Sequence, residues 1–139
     1  MAKSYEALIR LPTFFERFEY LKLGSFVGQE TFGFDRYLNQ VLYRSMEWRH
    51  VRRQVLLRDN GCDLGIQDRQ IFSSPLVHHI NPIALEDIDL RNPCIFDLNN
   101  LITTSHNTHN AIHYGDATLL SALPKERTKG DTTPWLRQV

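Results

Sequence analysis

Five of the six histidines of this chain fall between His78 and His113. His78 and His79 are adjacent in "VHHIN", and His106, His109 and His113 lie in "SHNTHNAIHYG". Imidazole titrates near working pH and offers two nitrogens that can donate, accept or ligate a metal, so such a cluster suits metal binding and proton transfer. His109 and His113 are four apart and share a face if their segment is helical. Two imidazoles one turn apart can hold one divalent ion, and a third ligand from a nearby strand end leaves positions open for substrate and water, as in a catalytic rather than a structural site. His78 and His79, neighbours on an extended segment, point to opposite sides. One can be a ligand while the other serves as general base.

The elements that must position these groups are legible around them. "SPLVHHINPI" leads β-branched and apolar residues into the histidine pair and ends on an "NP" turn signal, which predicts a strand over 75–80. An acidic loop, "ALEDIDLRNPCIFDLNN", separates it from a second β-type run, "LITT". Ser105 can then cap a helix over 106–114, with Gly115 as its terminator. Upstream, "TFFERFEYLKL" predicts an amphipathic helix from about Thr13, and "FDRYLNQVLYRS" another from about Asp35, with Tyr37, Leu38, Val41 and Leu42 as core. "GSFVGQETFGF" between them has the glycine spacing of a loop. "RSMEWRHVRRQVLLR" holds five arginines and one acid. With Ser45 as N-cap and "DNG" as the stop, it predicts a helix over about 45–58. Arg49, Arg52, Arg53 and Arg58 are its candidate DNA-binding residues, in contact with phosphate; read alone, the same face is an ordinary solvated surface.

Composition limits the function. At 139 residues the chain has the length of one domain. The division expected is a helical N-terminal layer over 1–60, a core over 61–123 and an extended tail over 124–139 pinned by Trp135. No apolar run approaches the roughly 18 residues of a membrane span, and the N-terminus has no signal-peptide pattern, so no membrane is expected as a partner and a cytoplasmic location is. Cys62 and Cys94 form no CxxC pair and are read as reduced thiols, Cys94 as a small buried hydrophobe. The formal charge is zero, which argues against coating nucleic acid by bulk electrostatics and leaves DNA contact to a local cluster.

The order strand, acidic loop, strand, helix, with "HH" before "INPI", a central Asn in "DLNNL" and a terminal HxxxH, resembles the HNH endonucleases. At residues 78–113 the likeness is to the nuclease domains of the DNA-cleaving colicins, and more loosely, through "RDNGCDLG" and "PWLR", to small HNH proteins encoded by bacteriophages. The resemblance implies an α+β fold with a ββα-metal (His-Me finger) nuclease core behind a helical N-terminal layer. It implies a metal-dependent DNA endonuclease, in a bacterial host cell, that leaves 5′-phosphate and 3′-hydroxyl ends. By position, His79 resembles the general base, His78, His109 and His113 the ligands of one divalent metal ion, and Asn100 the middle Asn that braces the loop carrying the base. Three imidazoles favour Zn²⁺, Ni²⁺ or Co²⁺ over Mg²⁺ by affinity, while abundance favours Mg²⁺ or Mn²⁺.

Two departures qualify the likeness. Where many HNH proteins hold a structural zinc with four cysteines, this chain has Cys62, Gly65, Ser105 and Thr108, so no structural zinc is expected. The colicin domains are also strongly basic, whereas this chain is neutral. Other readings therefore stay open: an accessory HNH subunit of phage DNA packaging, a homing endonuclease, or a non-catalytic metal-stabilised DNA-binding module in which Cys62 or Cys94 closes the fourth position. Asn99 could replace Asn100 if the register slips by one. Glu86 and Asp87 are candidates for orienting a ligand, although an acidic solvated loop is the better account of them. His106 is expected to be exposed or near phosphate, and His50 to be surface.

Overall fold

The computed structural model describes residues 2–23 and 41–120. The glycine-spaced loop, the start of the helix expected near Asp35, Tyr37, Leu38 and the tail with Trp135 lie outside these residues.

The described chain is mixed: short helices surround one two-stranded antiparallel sheet, an α+β arrangement. Helix α1 (Tyr5–Leu8) is capped by Ser4, whose side chain accepts from the Ala7 amide. It was not foreseen in the sequence, being a single turn. Helix α2 (Phe14–Leu21) begins after Thr13, which accepts from the Glu16 amide, and buries Phe14, Phe18 and Leu21 at helical spacing. Residues 41–44 are helical, and Ser45 then opens the longer α3 (Met46–Arg58) by accepting from the Trp48 amide. Trp48, Val51 and Val55 form its buried stripe. Leu42 is buried as expected, but Val41 is half exposed.

Strands β1 (Leu76–His79) and β2 (Leu101–Thr104) pair with Val77 opposite Thr103, His78 opposite Ile102 and His79 opposite Leu101. The strand is four residues long, shorter than the span of 75–80 read from sequence. The loop between the strands is more structured than expected. It contains α4 (Leu85–Asp89) and 3₁₀ turns at Pro93–Ile95 and Leu98–Asn100. The Asp87 carboxylate accepts from the Ala84 amide and from Asn92, and a propensity-based reading does not see these local bonds. Helix α5 (His106–Tyr114) is capped by Ser105 and ends on Gly115 at φ 62°, a left-handed position suited to glycine.

Alternation along the ribbon gives it two working faces. On one, Val77 and Leu101 pack against Trp48, Val51 and Val55 of α3. On the other, Ile102 joins Ala111 and Ile112 of α5 with Leu8, Phe14, Phe18 and Leu21 of the N-terminal helices. The first two helices and the residues after position 60 thus share one core. Asp59, at the end of α3, ties the layers together: its buried carboxylate accepts from the amide and hydroxyl of Thr103. Among the described residues, no helix is long and apolar enough to cross a membrane.

Candidate metal centre and adjoining histidine

The two ribbon faces separate His78 from His79. His78 points to α5, where its ring lies edge-on to His109 and His113 at centroid distances of 5.3 and 5.1 Å. His109 and His113 are brought together by one helical turn, with their Nε2 atoms 3.1 Å apart. One ligand nitrogen from each of the three lies within 4.8 Å of the others.

The donor set fits a metal ion on its own chemistry. Two nitrogens bound at ~2.1 Å to one tetrahedral ion would sit about 3.4 Å apart, near the separation at His109 and His113. His78 Nε2 is buried and has no hydrogen-bond partner. A buried polar atom left in that state costs stability unless something completes it. Burial is also the first cause that moves the three basicities. It pushes His78 well below the ordinary 6.5, with His109 and His113 adding to the effect, and it lowers His113. His109 falls to about 3, through burial and then through His113 and His106. Neutral imidazoles are the form that binds a metal.

His79 faces the other way. Its ring stacks on Trp48 of α3, with centroids 5.3 Å apart and planes 25° from parallel. Its Nε2 lies 3.0 Å from the Ile95 carbonyl. A carbonyl can only accept, so this nitrogen carries the proton and Nδ1 keeps the lone pair. Burial lowers His79 to about 4, partly opposed by the Ile95 bond and by Asp87.

Asn100 supports that arrangement. It is buried, donates through Nδ2 to the Cys94 carbonyl at 3.0 Å, and accepts at Oδ1 from the Asn81 amide and side chain at 2.9 and 2.8 Å. The Cys94 carbonyl is one peptide away from the Ile95 carbonyl that holds His79. Asn99 is on the outside, its Oδ1 accepting from the Glu6 amide, so the register puts Asn100 and not Asn99 in the bracing position. Asn81 was passed over in the sequence; its place two residues after His79 was the available signal.

The remaining candidates divide. Arg49 and Arg53 are exposed on α3, and Arg52 is half buried with Nη2 donating to the Pro75 carbonyl at 2.9 Å. Together they line a shallow groove with Leu56, Leu57 and Asn60. Arg58, expected to contact phosphate with them, has its guanidinium turned into the protein. It bonds to Asp59, to the Leu98 and Leu101 carbonyls, and covers the Tyr5 ring at 3.6 Å. The reason is its place at the C-terminal end of α3, beside the buried Asp59. His50 and His106 are exposed. Asp87 caps its own short helix. Cys62 is buried with its thiol near the Asn60 and Gln67 carbonyls, and Cys94 is half buried rather than fully so. Neither cysteine joins the three-histidine group.

Comparison of the chain with protein-family models, with curated proteins and with solved structures finds no match.

Proposed function

We propose that the chain is a metal-dependent DNA endonuclease of HNH type, with a ββα-metal core formed by the ribbon and α5. The observation that carries the reading is the pairing of two sites back to back across one strand. His78 joins His109 and His113 on one face, and His79 presents a fixed Nε2–H tautomer on the other. A structural metal clamp would need the first of these and has no use for the second.

In this reading His78, His109 and His113 hold one divalent ion, and Mg²⁺, Mn²⁺, Ni²⁺ and Zn²⁺ are the candidates. When bound, the ion supplies Lewis-acid stabilisation of charge developing on the phosphate and the leaving oxygen. The protein's own part is proton transfer and placement. His79 Nδ1 takes a proton from the attacking water while Nε2 stays on the Ile95 carbonyl, which stabilises the imidazolium as it forms. Trp48 stacks on the ring and excludes water from one side. Asn100 holds the loop that carries the Ile95 carbonyl. Hydrolysis of the P–O3′ bond leaves 5′-phosphate and 3′-hydroxyl ends. Arg49, Arg52 and Arg53 supply phosphate contacts from α3, the helix that also carries Trp48. The zero formal charge makes such local contacts, or phage packaging proteins as partners that deliver DNA, the expected route to substrate in a bacterial host cell.

Plasmid relaxation at low salt tests this, with each ion added back after chelation. Wild type should nick or linearise the plasmid, and His79→Ala should lose at least about 100-fold in rate, the lower range for a general base, while still binding the ion. Wild type that cuts with none of the four ions would sink the nuclease reading.

A further inference from the structure

Asn81 has a side chain engaged in two directions. Its Oδ1 accepts from the Lys3 amide at 2.9 Å, and its Nδ2 donates to the Lys3 carbonyl at 2.7 Å. The same Nδ2 donates to Asn100 Oδ1 at 2.8 Å, and the Asn81 backbone amide reaches that oxygen at 2.9 Å. This set permits one orientation of the amide. Reversed, it would place an oxygen against the Lys3 carbonyl and Asn100 Oδ1, and an NH₂ group against the Lys3 amide. Both donors to Asn100 Oδ1 thus come from one residue.

From Asn100 the connection runs through Nδ2 to the Cys94 carbonyl, then across one peptide to the Ile95 carbonyl that fixes His79 Nε2. A second tie holds the N-terminal segment to the same loop end, where the Glu6 amide donates to Asn99 Oδ1 at 3.0 Å. Residues 3–6 are therefore bonded to Asn81, just after β1, and to Asn99, just before β2, at the same end of the ribbon. The side chains they hold flank Asn100.

We propose that Asn81 is a positioning residue for His79, and that through it the backbone at Lys3 completes the support of the site. This deepens the nuclease reading and rests on its assignment of His79 as the base. Without the Asn81 side chain, Asn100 keeps one of its two donors and the Lys3 peptide keeps neither bond to that side chain. The loop bearing the Ile95 carbonyl then holds the imidazole less firmly. Outer-shell groups of this kind change rates without touching substrate.

The test combines imidazole ¹⁵N NMR with plasmid cleavage in Mn²⁺, comparing wild type, Asn81→Ala and Lys3→Pro. Lys3→Pro removes the amide donor to Asn81, together with the Lys3 ammonium that lies over the Tyr20 ring, and leaves the Lys3 carbonyl in place. In wild type His79 should show the single Nε2–H tautomer. Asn81→Ala should show a tautomer mixture and about a 10-fold fall in kcat, the size expected of an outer-shell support, with KM and Mn²⁺ affinity unchanged. Lys3→Pro should move both readouts the same way by a smaller factor, about 3-fold. If wild type cuts DNA while both variants keep the single tautomer and wild-type kcat, the inference is overturned and the nuclease reading stands. A kcat that falls only in step with thermal unfolding, tautomer unchanged, overturns it equally. If wild type cuts with none of Mg²⁺, Mn²⁺, Ni²⁺ and Zn²⁺, the nuclease reading falls and takes the inference with it.

Discussion

The two halves of α5 handle buried polar groups in opposite ways. At its N-terminal end the cap and the buried carboxylate beside it are answered from within the chain. Ser105 accepts from the Thr108 amide, and the buried Asp63 carboxylate accepts from the Ser105 amide, the Ser105 hydroxyl and the Thr108 hydroxyl. One turn further on, His109 and His113 converge with His78, and His78 Nε2 is left buried with nothing to bond. The first end is closed and the second is open, a meeting of three imidazoles that could hold a metal ion. The closed end lies at Cys62, Gly65, Ser105 and Thr108, the positions that the resemblance to HNH proteins would align with four zinc-binding cysteines. One carboxylate and two hydroxyls tie the 62–65 turn to α5 instead.

The largest effect expected from the open end is on acid stability. Burial keeps His78 and His109 neutral in the folded chain, and His109 takes up a proton only at about 3. The unfolded chain takes up those protons near the ordinary 6.5. Folded basicity is lowered, so the stabilisation is present above pH 6.5 and is lost as pH falls toward the folded values. The slope is about 1.4 kcal/mol per pH unit for each such histidine, or about 2 kcal/mol each between pH 6.5 and 5. Denaturant unfolding at pH 7.5, 6.5 and 5 measures it. A stability that stays flat over this range would mean that the imidazoles are not buried neutral, and the open end would lose its meaning.

Next in size is the contrast between the two ends when each is cut. Asp63→Ala leaves the buried Thr108 hydroxyl and the half-buried Ser105 hydroxyl and amide without their carboxylate, and should cost about 3 kcal/mol whether or not an ion is present. Burial pushes the Asp63 carboxyl up while Thr108, Ser105 and Arg69 pull it down, so the group is held against its own desolvation. His78→Ala should cost less in the absence of metal, since it removes an unsatisfied atom. What it should remove is the gain from metal, about 2.7 kcal/mol at 100 times the dissociation constant. Thermal melts of both variants with and without Zn²⁺ separate the cases. If Zn²⁺ stabilises His78→Ala as much as wild type, the ion is not bound where the three histidines meet.

How far the sequence carried these features depended on whether their cause was local. The caps at Thr13, Ser45 and Ser105, the glycine stop at 115 and the one-turn spacing of His109 and His113 all act within a few residues, and each is read directly from residue type. The opposed faces of His78 and His79 follow from the period of a strand. What escaped is long-range or fine-grained. Nothing in the local pattern tells that Asp63 will meet Ser105 and Thr108, or that Asn81 will meet Lys3, at separations of more than 40 and more than 70 residues. α1 and α4 are too short for a period to register. Arg58 read like its neighbours on α3, because the buried Asp59 and the carbonyls that engage it are fixed by the tertiary fold.

That last case gives the smallest effect and extends the contrast of closed and open groups to the arginines. Arg49 and Arg53 are exposed and have no partner among the described residues, whereas Arg58 has its guanidinium on Asp59 and two carbonyls. If α3 lies along DNA, each arginine that neutralises a phosphate releases about one counterion. Arg49→Ala and Arg53→Ala should then each reduce the slope of log K against log salt by about 0.9 while leaving the melting temperature within a degree or so. Arg58→Ala should do the reverse. It leaves the salt slope alone and lowers stability by about 1–3 kcal/mol, because Leu98, Leu101 and Asp59 lose a charged donor. DNA binding titrated from low to physiological salt, beside a thermal melt, reads both quantities for all three variants. A salt slope that drops on Arg58→Ala and not on the other two would move the DNA track off the exposed face of α3 and toward the edge where Arg58 meets Tyr5.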